Sequence, residues 1–148
     1  MTYPHLTLNQ VRELSAAGWT IGSHTKSHKC LIGMNRHQLM NELEESKKKL
    51  EDLTGKAIEY LVPPFGRADW RVINSALDCG YKKILLPLTF RKHNFPERNC
   101  LYRWNVYSIE TNKAFSKRLT DVQLTFQLAK QMVISFCNNA SIAANSIK

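Results

Sequence analysis

Residues 20–28 read TIGSHTKSH and place His24 and His28 four residues apart. Two imidazoles at that spacing can grip one divalent ion, and a catalytic site usually adds a third protein ligand. Neutral imidazoles suit zinc, cobalt, nickel or iron and not magnesium. Ser23 and Thr25 offer hydroxyls that could orient the rings. Alone, H-x-x-x-H is a short pattern that also arises by chance. Its position directly after the apolar run Trp19–Gly22 gives it weight. A second stretch, PPFG at 63–66, is at least a rigid turn. It can do more: stiff Pro63-Pro64 would hold the Phe65 N–H exposed, and a fixed N–H can stabilise a developing oxyanion.

These stretches need elements to position them. Thr7 reads as the N-cap of a helix to about Ala17, stopped by Gly18, with Val11 and Leu14 toward the core. Trp19–Gly22 reads as a buried strand ending at the histidines. Asn35 caps a long helix to about Leu53, with Leu39, Leu43, Leu50 and Leu53 as its apolar stripe and Gly55 after it. Glu44–Lys48 and Glu45–Lys49 are helical pairs in the favourable order. Residues 58–62 read as a strand stopped by Pro63-Pro64. Asp69 caps a third helix that buries Val72, Ile73, Ala76 and Leu77, and a strand follows from Tyr81 to Leu86. A looser segment leads to a strand over LYRWNVYSI, a short helix from Asn112 to Arg118, a last helix from Val122 to Phe136, and a frayed tail. Alternating strands and helices predict an α/β fold with parallel strands, whose C-terminal loops carry chemistry. SHTKSH and PPFGRAD both fall at such ends.

The chain has 148 residues, 43% of them hydrophobic, which suits one domain with a single core. No apolar run approaches the roughly 20 residues that span a bilayer. The opening MTYPHLTLNQ is not a signal peptide, and export of a longer precursor stays open. Twenty-one Lys+Arg against 12 Asp+Glu make the chain basic, but the charges are dispersed, and no helix combines a basic face with interleaved aromatics. Nucleic acid is therefore a poor candidate partner. Cys30, Cys79, Cys100 and Cys137 form no C-x-x-C pair, so neither a zinc ribbon nor a dense disulfide scaffold is indicated. Cys30, two residues past His28, is an opportunistic ligand at most.

The succession LTLNQVRELSAAGWTIGSHTKSHKCL, LEDLTGK, YLVPPFGRAD and ALDCGYKK, over about residues 6 to 86, resembles the polysaccharide deacetylases (NodB-homology domain, carbohydrate esterase family 4). LYRWNVYSIETNKAFSKRL is similar to the family's later strand and helix. The resemblance implies a partial, distorted (β/α) barrel over 1–137, lacking the first strand or strands, with 138–148 as the tail. It implies removal of N-acetyl groups from N-acetylglucosamine-containing polysaccharide: chitin, peptidoglycan or poly-N-acetylglucosamine. It implies that His24 and His28 bind a divalent metal, with zinc preferred, and that the Phe65 amide lies at the oxyanion site. Pro63, Pro64, Phe65 and Gly66 would contact substrate, the Phe65 ring as a wall against a sugar.

Three departures qualify the resemblance. The family's third metal ligand and its base are adjacent aspartates at the end of the first strand, and this sequence has no Asp-Asp pair; its first aspartate is Asp52. The third ligand is therefore expected outside this chain, with Met1 a fragment boundary or a mis-called start. The family's arginine before Pro-Pro is Val62 here; Arg67 and Arg103 are nearby candidates for that charge, though the spacing supports neither. The late histidine that acts as general acid is unmatched unless His93 takes that role. Two readings follow: a portion of a metal-dependent deacetylase, or a catalytically dead remnant that binds glycan or metal, to which Trp70 and Tyr107 could contribute stacking.

Overall fold

The structure, a computed structural model, describes residues 5–88 and 95–103. The chain divides into two units, residues 1–86 with 95–101, and residues 87–94 with 102–148. Of the second, only 87, 88, 102 and 103 are described, so the expected helices over 112–118 and 122–136, Tyr107 and the tail lie outside the described residues.

Each helix begins where a side chain can satisfy its own orphan amides. Helix α1 (Leu8–Ala16) starts in a capping box, with Gln10 N–H donating to Thr7 Oγ1 and Thr7 N–H to Gln10 Oε1. Helix α2 (Arg36–Thr54) repeats the device with Asn35 and Gln38 and ends on Gly55 at φ 68°. Helix α3 (Trp70–Asp78) is capped by Asp69, whose carboxylate accepts from Val72 N–H at 2.9 Å. Each such cap is worth about 1 kcal/mol.

The sheet runs in the order β1 (Tyr60–Leu61), β2 (Lys83–Pro87), β3 (Cys100–Arg103). β1 and β2 are parallel, Tyr60 opposite Lys83 and Leu61 opposite Ile84. The fold is α/β, part of a distorted (β/α) barrel. Its core gathers Leu39 and Leu43 of α2, Val72, Ile73 and Ala76 of α3, and Leu61, Ile84 and Leu86 of the sheet, all fully buried.

Several expectations need correction. Trp19–Gly22 is not a buried strand: Trp19 is 67% exposed, and only Ser23 pairs, as a single parallel bridge to Leu61. Ser23 N–H donates to Tyr60 O and Val62 N–H to Ser23 O, while residues 19–22 find no rung among the described residues. The strand expected over 58–62 contracts to Tyr60–Leu61. Leu50 and Leu53 are half-buried, as are Val11, Leu14 and Leu77; on α1 the buried residue is Ser15. Glu44–Lys48 and Glu45–Lys49 do not pair. The ion pair within α2 is Lys47–Glu51, where Glu51 also accepts from Ile58 N–H beyond the helix end. Trp70, named for possible stacking, is 49% exposed, with its ring edge-to-face with Phe95 at 5.1 Å.

Candidate active site

Both loops singled out by the sequence follow β-bridged residues and meet. The single rung at Ser23 puts His24 just past the edge of β1, and Pro63-Pro64 continue from β1 into a short 3-10 turn, Pro64–Gly66. The His24 and His28 rings lie 4.8 Å apart between centroids, at 69°. The His28 and Phe65 rings lie 5.1 Å apart, at 63°. Both histidines are exposed, and Phe65 is 41% exposed. A cavity of about 430 Å³ lies beside His24, lined also by Gly22, Thr25, Leu8, Leu50 and Leu53.

The backbone explains the convergence. Among the described residues, three non-glycine residues have positive φ: Thr25 (68°), His28 (56°) and Phe65 (58°). All three lie in these two loops. Left-handed L-residues cost about 1–2 kcal/mol each, and such strain collects at functional sites. The turns at Thr25 and His28 curl the loop so that the second imidazole comes back beside the first. Gly66 and Arg67 N–H return to the Pro63 and Pro64 carbonyls, whereas Phe65 N–H takes no partner among the described residues. Thr25 is β-branched, and its Oγ1 is buried without a hydrogen-bond partner. Thr25→Gly is therefore expected to raise stability by about 1 kcal/mol in urea denaturation, after the entropy of the added glycine is deducted. A loss of stability would show that the threonine side chain holds the loop.

His24 is oriented by β1. Its Nδ1 lies 2.5 Å from Val62 O. A carbonyl only accepts, so Nδ1 donates to it, and in the neutral imidazole Nε2 is then the nitrogen with a lone pair for a ligand. Two imidazoles with ring centroids 4.8 Å apart are donors of the type that suits a divalent ion. Among the described residues, no group of three His, Cys, Asp or Glu is placed to hold a metal. Half-buried Cys30 does not complete such a group, and His93 lies outside the described residues. Arg67 follows the turn, half-buried.

Sequence reasoning missed the residues that hold the histidine loop. Glu42, only 8% exposed, accepts from Lys26 N–H at 3.1 Å and from Ser27 N–H at 2.8 Å through Oε2. Its Oε1 accepts from Ser27 Oγ at 2.5 Å. Ser46, one turn along α2, shares a hydrogen bond with Ser23 Oγ at 2.8 Å. Tyr81 backs this contact, donating its hydroxyl to Leu43 O at 3.0 Å, and burial pushes its pKa up, so it stays protonated. A signal existed: Leu39, Glu42, Leu43 and Ser46 fall at i, i+3, i+4 and i+7, so two polar residues occupy the core-facing stripe.

Comparison with known proteins places the chain in a family. The family model described as polysaccharide deacetylase matches residues 4–84, more than half of the chain. YxkH of Bacillus subtilis (strain 168), which bears a polysaccharide deacetylase name, is 31% identical over 78 residues, covering 53% of this chain and 28% of that protein. A peptidoglycan-N-acetylglucosamine deacetylase of Bacillus cereus is 33% identical over 58 residues, covering 39% and 21%. The crystal structure of a polysaccharide deacetylase from Bacillus cereus matches with a TM-score of 0.64 at 25% identity, covering 76% of this chain and 36% of that one. The matched region thus spans well under half the length of each relative. With this match to its sequence and its fold, the chain belongs to the polysaccharide deacetylase family.

Proposed function

We propose that this chain forms part of a metal-dependent hydrolase that removes N-acetyl groups from N-acetylglucosamine-containing polysaccharide: chitin, peptidoglycan or poly-N-acetylglucosamine. The observation that carries the reading is the meeting of His24, His28 and Phe65 at one exposed point. His24 and His28 would hold a divalent metal, with zinc preferred. Bound there, it would supply Lewis acidity toward an acetamide carbonyl and toward water.

The chain's own residues do part of the rest. Val62 O keeps the proton on His24 Nδ1 and so holds Nε2 available. The Phe65 N–H donates to the acetyl oxygen as negative charge develops there, and its fixed turn makes that donation cost little reorganisation. The half-exposed Phe65 ring gives a sugar an apolar wall, with Pro63, Pro64 and Gly66 shaping the turn beneath it. His93 is the histidine proposed to protonate the leaving amine.

A second reading is a glycan- or metal-binding module without turnover. It is favoured by one observation: among the described residues, no third His, Cys, Asp or Glu joins the two histidines in a group that could hold a metal. Acetate release from N-acetylglucosamine oligomers separates the two. The hydrolase reading predicts release, by the whole enzyme of which this chain forms part, that depends on added Zn²⁺ or Co²⁺ and stops with a chelator. Oligomer binding by titration, with no acetate at any metal concentration, would establish the binding module instead.

A further inference from the structure

The Glu42 carboxylate is buried beneath an exposed loop, and it accepts three hydrogen bonds, all from Lys26 and Ser27. Burial alone would raise its pKa, but the bonds from the Ser27 hydroxyl and from the Ser27 and Lys26 amides, with the charge of Lys29 nearby, hold it below the ordinary carboxylate value. As a stabilising device this is inefficient, since an apolar residue of similar size serves a core as well or better. A carboxylate can do what an apolar residue cannot. One oxygen can take two successive backbone N–H groups, a concavity that forms beside a left-handed residue and attracts an anion. Here the left-handed residues are Thr25 and His28, on either side of those amides, and the anion is the protein's own. Ser46, four residues on, fastens Ser23. Helix α2 therefore grips the loop on both sides of Thr25.

We infer that Glu42 is a positioning residue: by accepting the Lys26 and Ser27 amides it sets the His28 ring against His24, and so fixes the spacing of the two imidazoles. The functional weight of that spacing rests on the pair being metal ligands, as proposed above. The geometry also says which replacement can stand in. A glutamine oxygen can accept both amides while its NH₂ donates to Ser27 Oγ, reversing that hydroxyl. Alanine offers nothing.

The test uses metal-free protein first. NMR is used to measure amide hydrogen exchange at Lys26 and Ser27, and the NOE between the His24 and His28 rings, in the parent, Glu42→Ala and Glu42→Gln. Alanine is expected to speed exchange at both amides by about tenfold or more and to remove the NOE, while core amides of α3 stay protected. Glutamine is expected to restore the NOE. Co²⁺ affinity is then expected to fall by about tenfold or more in the alanine variant and to recover to within about threefold in the glutamine variant. Should Glu42→Ala not fold, Glu42→Met fills the same space without an acceptor and carries the same expectation. An unchanged NOE and unchanged exchange in the folded alanine or methionine variant would overturn the inference. If the NOE depends on Glu42 but the parent binds no Co²⁺, the positioning role stands and the metal reading fails.

Discussion

His24→Ala is expected to weaken Zn²⁺ or Co²⁺ binding by about 100-fold, because it converts a two-imidazole grip into a single exposed imidazole whose partner's effective concentration is lost. His24 is chosen over His28 because its Nδ1 is committed to Val62 O, which leaves Nε2 as the free ligand atom. The loss should appear in isothermal titration and, with Co²⁺, in the visible absorption band of the bound ion. Any metal-dependent acetate release should fall with it. His37→Ala provides the control, since His37 is exposed on the first turn of α2, outside the histidine loop. Its affinity should match the parent's. If His24→Ala and His28→Ala both bind within about threefold of the parent, the pair is not the metal site, whatever its geometry.

The largest stability effect is expected at Leu43→Ala. Leu43 is fully buried in the middle of α2, and its carbonyl also receives the Tyr81 hydroxyl and the Ser46 hydroxyl. Deleting its side chain leaves a cavity between α2 and its neighbours, at a cost of about 2–5 kcal/mol. Domains of this size have about 5–15 kcal/mol in total, so the variant should sit near its folding limit at 37 °C. Urea denaturation should show a lower midpoint with an unchanged slope. Leu43→Met, which nearly conserves volume, should cost less than about 1.5 kcal/mol. A cost below about 1 kcal/mol for the alanine variant would mean that α2 does not carry the core, and would undercut its role as the element that grips the histidine loop.

What could be read without coordinates follows a simple rule. Thr7, Asn35 and Asp69 each bond to a backbone group three residues away, so their caps depend on local chain alone and were legible. The same holds for Gly55, whose left-handed φ ends α2. His24, His28 and the Pro63-Pro64 turn were legible as residue types at a spacing that chemistry uses, and their meeting followed from placing both at strand ends. The Trp19–Gly22 strand failed because a strand is a partnership: apolar residues announce an inclination to pair, and only the neighbours decide how many rungs form. Here one formed, at Ser23.

Glu42 marks the other boundary. From the sequence, α2 offers several acids, and the helical pairing rule draws attention to Glu44 and Glu45. Both are exposed and unpaired with Lys48 and Lys49, whereas Glu42 is buried. The sequence by itself determined the three helices among the described residues, where they start and stop, and the two loops with chemistry in them, because those depend on contacts within a few residues. Only the tertiary structure decided which acid would be buried, which histidine nitrogen would keep its lone pair, and how closely the imidazoles would stand. Each of those depends on a partner 15 to 38 residues away, Glu42 on Ser27 and His24 on Val62, and on loop backbone held in left-handed turns that side-chain identity alone does not announce.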